Sequence, residues 1–235
     1  MDKRVLITVG AIFIFVLAIM FLNYRTGYYS VIFQKPVDAR ELLRIDNQQF
    51  RLSAPMRGLS FSTSFWIYIK DWNYKFMAEK EIFNKGGFKC ILTPRSNDLV
   101  VEIPIFASKE SEKIVFKNVP LQKWLNVAII VDNRHIDLWI NGKIYHSKHL
   151  VNLPLFKENR PLLVCDNRGF DGYISSFYYW DKPVSKVVLH RVFRDGPNNN
   201  SLVSKILRLY KKIRGMFKVK VSVDLDDNTD VQCTK

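Results

Sequence analysis

"WLNVAIIVDNRHIDLWINGKIYHS", residues Trp124–Ser147, fits three short strands and two reversals into about two dozen positions. Leu125, Val127, Ile129 and Val131 alternate with Asn126, Ala128 and Ile130, the period of a strand that buries one face. "DNRH" (Asp132–His135) supplies side chains that tolerate turn geometry. Ile136, Leu138 and Ile140 then alternate with Asp137 and Trp139. Asn141-Gly142 follows, the strongest two-residue hairpin signal, because a type I′ turn needs positive φ at both central positions. Lys143–His146 returns as the next strand. The stretch is an antiparallel meander rather than a catalytic loop.

The same alternation continues upstream. "FSTSFWIYIK" places Phe61, Phe65, Ile67 and Ile69 on one face and Trp66 and Tyr68 on the other. "KEIFNKGGFKCILTP" reads as two strands around Lys85-Gly86-Gly87. "NDLVVEIPIF", "EKIVFKNVP", "PLLVCDN" and "GFDGYISSFYYW" extend the series. No run of ten or more residues between Phe50 and Trp180 has a clean helical period, so the chain predicts an all-β antiparallel sandwich or closed barrel.

The chain has 235 residues, 48% hydrophobic and 14% aromatic, enough to bury a sizeable core, and disorder is excluded as its default state. Its formal net charge of +14 predicts an anionic neighbour: phospholipid head groups, nucleic acid or an acidic protein. Cys90, Cys165 and Cys233 have no metal-ligand spacing and form no disulfide framework; Cys90–Cys165 is the one pair within strand-like segments, and the odd count leaves the redox compartment open.

Val5–Leu22 is an uncharged run of 18 residues, about 27 Å as a helix. Thirteen of them are Leu, Ile, Phe or Val, which together favour insertion by about 5 kcal/mol. A cleaved signal peptide would have a shorter apolar region and a small-residue cleavage site, and "IMFLNYRTG" has none. The expectation is an uncleaved single-pass anchor. Lys3 and Arg4 crowd the short N-terminal side, which places the N-terminus in the cytoplasm and the large domain across the membrane. A sequon at Asn199 lies on the domain's side.

The expected organisation is an anchor over 1–24, a juxtamembrane linker over 25–49, the sandwich over 50–196, and a basic C-terminal region over 197–235. Within the linker, "DARELLRID" is compatible with a short helix. In the C-terminal region, Leu202, Ile206, Leu209 and Ile213 form one helical stripe amid lysines and arginines, with Gly215 suited to its end. "FKVKVSVDL" alternates as a late edge strand whose outward charges discourage stray pairing, and a polar tail follows.

The order of "FSTSFWIYI", "EIFNKGG", the Trp124 meander and "PLLVCDNRGFDGYISSFYYWDKPVS" resembles the laminin-G-like, concanavalin A-like lectin/glucanase jelly roll. The features in common are an aromatic first core strand, a Trp opening the meander, an Asn-Gly hairpin, and a Gly-Tyr-Ile strand ending in an aromatic pair before a short helix near Pro183–Phe193. The likeness covers about Phe50–Gly196. Membrane-anchored versions of such domains are encoded by large double-stranded DNA viruses, and this basic, Asn- and Lys-rich chain is similar to them. That implies a structural or interaction protein of a virion membrane or capsid layer, or else a lectin-like module that binds carbohydrate or a receptor.

Catalysis is not expected. The family's glucanase strand carries E-x-D-x-x-E, which this chain lacks, and Glu79 and Glu81, two apart, are expected in a lysine-flanked turn. His146 and His149 in "HSKH" lack a third metal ligand, and exposed hairpin histidines account for them better. Calcium is the more natural cofactor for the resembled fold, and "CDNRGFDG" offers Asp166, Asn167 and Asp171 as oxygen donors. Ordinary Asx-turn chemistry is the competing and preferred account. Trp66, Tyr68, Trp139, Tyr145, Tyr178 and Trp180 fall opposite the aliphatic core and are the candidate sugar- or partner-facing surface. An apolar outer face is also what a covering C-terminal helix or juxtamembrane segment would need, and cover is the favoured reading. The basic helix has no base-stacking module beside it, so head groups or the sandwich suit it better than nucleic acid.

Overall fold

Two antiparallel sheets face each other across one apolar core. The computed structural model describes residues 12–13, 15–16, 30–46, 59–156 and 160–198. The chain divides into two units, Met1–Asn199 and Asn200–Lys235, and the second lies outside the described residues. So do the sequon, the basic helix, the late strand and the tail. Of Val5–Leu22, only Ile12, Phe13, Phe15 and Val16 are described, as exposed helical residues; among the described residues no helix is long and apolar enough to cross a membrane.

The strands are β1 (Ser30–Phe33), β2 (Val37–Asp38), β3 (Leu43–Ile45), β4 (Ser60–Asp71), β5 (Lys80–Lys85), β6 (Phe88–Leu92), β7 (Leu99–Ile103), β8 (Glu112–Phe116), β9 (Trp124–Asp132), β10 (His135–Ile140), β11 (Lys143–His149), β12 (Leu162–Val164) and β13 (Asp171–Trp180). A helix, α1 (Lys186–Asp195), follows. One sheet runs β1-β13-β4-β9-β10-β11, with β2 also pairing β13; the other runs β3-β12-β5-β6-β7-β8.

The meander forms as its alternation predicts. Leu125, Val127, Ile129 and Val131 enter the core with Phe61, Phe65, Ile67 and Ile69 of β4. Asn141 and Gly142 have φ of 49° and 72°, the two positive values of the expected turn. Asn141 is further fixed by its side-chain Oδ1, which accepts the Asn126 backbone N–H at 3.0 Å.

The expectation of a linker needs correction. The stretch expected as a linker supplies β1, β2 and β3, and "DARELLRID" is strand–turn–strand, not helix: Val37 and Asp38 pair with β13, and Leu43–Ile45 pair with β12. Its backbone groups are satisfied by open sheet edges, a tertiary demand that outweighs local helix propensity. Cys90 and Cys165, whose pairing the sequence leaves open, are both buried and free. Among the described residues, the cover over the outer face of the first sheet is α1 with the segment before it; of the two covers the sequence offered, the basic helix lies outside the described residues and the juxtamembrane stretch supplies strands instead. Leu189 and Val184 pack there on Ala128, Ile130, Tyr178 and Trp180.

β13 holds one irregularity that alternation alone does not reveal. Ile174 and Phe177, three residues apart, both enter the core, because a bulge lies between Ser175 and Tyr178 and Ser176 takes φ 48°. The extra residue is anchored by the Ser175 and Ser176 hydroxyls, which donate to the carbonyls of Gln34 and Pro197.

Candidate functional site

The six aromatic residues singled out from sequence separate into three places. Trp66, Trp139, Tyr178 and Trp180 lie under or against α1. Trp66 stacks on Phe193 with ring centroids 5.7 Å apart and planes 10° from parallel, while Trp139 meets His190 edge-on at 6.4 Å. Tyr178 and Trp180 are buried with Leu189. Cover by a helix is therefore the correct account for these four. Tyr145 does not share their face: it meets Phe116 of the opposite sheet at 4.9 Å, between the two edge strands β11 and β8. It is the unpaired residue where the β10–β11 register slips, which turns its side chain toward the other sheet.

Tyr68 is the exception. Ile67 and Ile69 point inward, so Tyr68 points outward from β4, beyond the end of the helical cover. Its cross-strand neighbours are Trp124 of β9 and Tyr173 of β13. The three residues are all half-buried, with centroids 5.4 Å apart for Tyr68–Trp124 and 6.3 Å for Tyr68–Tyr173. Three adjacent strands thus present a row of aromatic faces at one height on the sheet. Lys70, next outward on β4, sets its ammonium 4.2 Å from the Tyr173 ring centroid. Hydrogen bonding of the Lys70 ammonium to the Tyr173 oxygen raises the Lys70 pKa above its ordinary value, with desolvation opposing and Asp171 and Asp38 adding smaller contributions. Asp38 is the cross-strand partner of Tyr173 on its far side.

This arrangement offers polarisable rings tilted 54° and 40° to one another, a positive charge over the Tyr173 ring, and carboxylates with lone pairs left beyond those that Arg40 engages. Each of these suits a ligand with one apolar face and a polar edge. Trp124 and Tyr173 were visible in the sequence as fold landmarks, yet nothing in either residue's own strand marked it as a site. The signal was the register that aligns both with Tyr68.

The calcium candidates do not assemble into a cage. Asp171 Oδ1 accepts a hydrogen bond from the Arg40 guanidinium at 2.6 Å, an ion pair. Asp166 Oδ1 accepts the Asn167 backbone N–H at 2.7 Å, the local turn chemistry that competes with metal binding. The Asn167 carbonyl accepts from the Lys75 ammonium at 2.5 Å. Among the described residues no group of three His, Cys, Asp or Glu could hold a metal ion. His146 and His149 both lie in β11, three positions apart, hence on opposite faces of the strand. Of the acidic pair expected in a turn, Glu81 lies instead in β5, where burial raises its carboxyl pKa with Lys89 opposing, while Glu79 precedes the strand and is exposed.

Residues 46–187 match the model of the Concanavalin A-like lectin/glucanases superfamily. The chain belongs to this superfamily. No curated protein matches it significantly. Among solved structures, the receptor binding domain of botulinum neurotoxin mosaic serotype C/D is 16% identical over 71% of this chain and 45% of its own, with a TM-score of 0.52. The binding domain of botulinum neurotoxin serotype D is 16% identical over 70% of this chain and 51% of its own, with a TM-score of 0.51. The superfamily member described here thus spans about half the length of these structures, and the likeness is one of fold.

Proposed function

We propose that this protein is a non-enzymatic, membrane-tethered recognition module that binds a carbohydrate on the Tyr173–Tyr68–Trp124 row. The observation that carries the reading is the register of β13, β4 and β9. It aligns three aromatic rings beyond the part of the outer face where α1 packs on Trp66, Trp139, Tyr178 and Trp180, and among the described residues all three stay half-exposed. Core packing explains the capped residues; it does not explain an outward row left half-exposed beside a lysine and two aspartates. A pyranose has one apolar C–H face for the rings and a rim of hydroxyls for Asp38, Asp171 and Lys70. The lectin-type fold and its likeness to receptor-binding domains agree with a binding role.

The tether in this proposal is Val5–Leu22, with the N-terminus cytoplasmic and the sandwich across the membrane. A role within a virion membrane or capsid layer, with another protein as the partner, is the second reading. It is favoured by the edge strands β8 and β11, whose outer backbone groups pair with no strand among the described residues and suit a partner's strand. A glycan array probed with the detergent-solubilised chain, with and without calcium, separates the two. The first reading predicts calcium-independent binding that Tyr68→Ala and Trp124→Ala both abolish. An empty array, with capture of a protein partner that β11 variants prevent, would favour the second.

A further inference from the structure

The end of the sandwich opposite the aromatic row carries a second feature that sugar recognition does not use. Just after β7, Ile105 forms a β-bridge with Pro154, and both are buried. The pairing is held by Phe106 N–H to Leu153 O and Leu155 N–H to Pro104 O, each 2.8 Å. With Ile105 and Pro154 facing inward, their neighbours must face out. Phe106, Leu153 and Leu155 are 59%, 46% and 43% exposed, and Val151 beside them is 76% exposed. Phe156, next along, packs its ring on Phe61 at 5.6 Å and so ties this segment to the start of β4. Four large apolar side chains held outward on a hydrogen-bonded backbone form a fixed patch rather than scattered exposure.

Charge borders the patch. The Arg134 guanidinium donates to the carbonyls of Leu150 (3.2 Å) and Val151 (2.8 Å) and makes no ion pair among the described residues; neither does Lys109. The nearby carboxylates are mostly engaged: Glu112 by Lys148 and the Val151 N–H, and Asp132 by Ser60 and Asn133. Glu110 is exposed beside Lys109.

Register also fixes where the chain enters. Ser30 pairs with Tyr179 and Ser62 with Trp180, so β1 begins at the end that holds Ser60, Asp132 and His149. Tyr173 lies six residues back along β13, about 20 Å away at 3.3 Å per residue. Seven residues, 23–29, separate Leu22 from Ser30, a reach of at most about 25 Å.

We infer that the Phe106–Val151–Leu153–Leu155 patch rests on the lipid bilayer, its apolar side chains at head-group depth and Arg134 at the phosphate level. The docked sandwich holds the aromatic row outward, away from the membrane. Apolar side chains beside an arginine suit an interface that is hydrocarbon on one side and phosphate on the other. The inference relies on the proposed tether only for the route by which this end reaches the bilayer.

The test uses the full chain carrying Cys233→Ser, whose remaining thiols are buried, with Leu153→Cys or Phe106→Cys as the site of an environment-sensitive fluorophore. Lys123→Cys, beside the aromatic row, is the control. Each protein is reconstituted into phosphatidylcholine vesicles with or without doxyl-labelled lipid. The label at 153 and at 106 should be roughly halved in intensity by the doxyl lipid, since interfacial side chains reach about 5–10 Å into the membrane. The label at 123 should not change. Equal quenching at all three sites, or none at 153 and 106, overturns the inference. So does a blue-shifted label at 153 without lipid quenching, which would mark a protein partner or a second copy. A chain that does not float with the vesicles overturns both this inference and the tether, whereas one that floats unquenched overturns this inference alone.

Discussion

Alanine at Gly142 tests how the meander and α1 are joined. A Cβ there would lie 3.1–3.2 Å from three carbons of Phe193, and the residue sits at φ +72°. Left-handed backbone costs a non-glycine residue about 1–2 kcal/mol. Crowding against a ring already stacked on Trp66 adds about 1–2 kcal/mol, in the range of other overpacked sites. Gly142→Ala should therefore destabilise the protein by about 2–4 kcal/mol. Phe193→Ala removes the crowding but leaves the dihedral penalty, so in that background Gly142→Ala should cost only about 1–2 kcal/mol. Urea unfolding of the four proteins closes a double-mutant cycle with a coupling of about 1–2 kcal/mol. Equal costs in the two backgrounds would refute the packing of α1 on the turn; no cost in either would refute the turn itself.

Burial raises the Cys90 thiol well above its usual range and the Cys165 thiol to about 12, with Asp38 adding to the latter. Because unfolded thiols ionise near 9, their stabilisation is present below that pH and is lost as pH rises toward the folded values. Between pH 8 and 10 the wild type should lose roughly 3 kcal/mol more than a Cys90→Ala/Cys165→Ala variant, measured by denaturant unfolding at each pH. Lys80 and Lys85, lowered by burial, act in the opposite sense but equally in both proteins. The Lys80 ammonium is buried with no hydrogen-bond partner, 4.9 Å from the Trp72 ring centroid. Lys80→Met should thus be neutral or raise the melting temperature by a few degrees, and a large fall would mean the cation is needed. Calcium chelation should leave the melting temperature unchanged, because Asp171 is held by Arg40 and Asp166 by its own turn. Removal of residues 1–24 should shift the chain from the detergent phase to the aqueous phase, as judged by phase partitioning, with its melting transition retained.

Much of the fold was legible because alternation and turn chemistry are local. Leu125–Val131 and Asn141-Gly142 each announce their geometry within a few residues. β1–β3 were hidden for the opposite reason: strands of two to four residues carry too little pattern, and their pairing with β13 and β12 spans well over a hundred positions. Cover of the outer face was readable from Trp66, Trp139, Tyr178 and Trp180. Which helix supplied it was not, since Leu189 and Phe193 find their places only through tertiary contacts. The aromatic row was half-legible. Tyr68 stood out as outward-facing, but Trp124 and Tyr173 join it only through register, and Tyr145 looked equivalent until a bulge turned it toward the other sheet.

The central claim is that Tyr68, Trp124 and Tyr173 bind sugar by stacking. Calorimetric titration of the best array ligand into the wild type, Trp124→Phe and Trp124→Ala tests it most directly, with circular dichroism to verify the fold. Loss of an aromatic hot-spot contact commonly costs 2 kcal/mol or more, so Trp124→Ala should weaken binding by more than about tenfold. Trp124→Phe, which keeps an aromatic face, should stay close to the wild type. Equal affinity of all three proteins for the sugar would contradict the account.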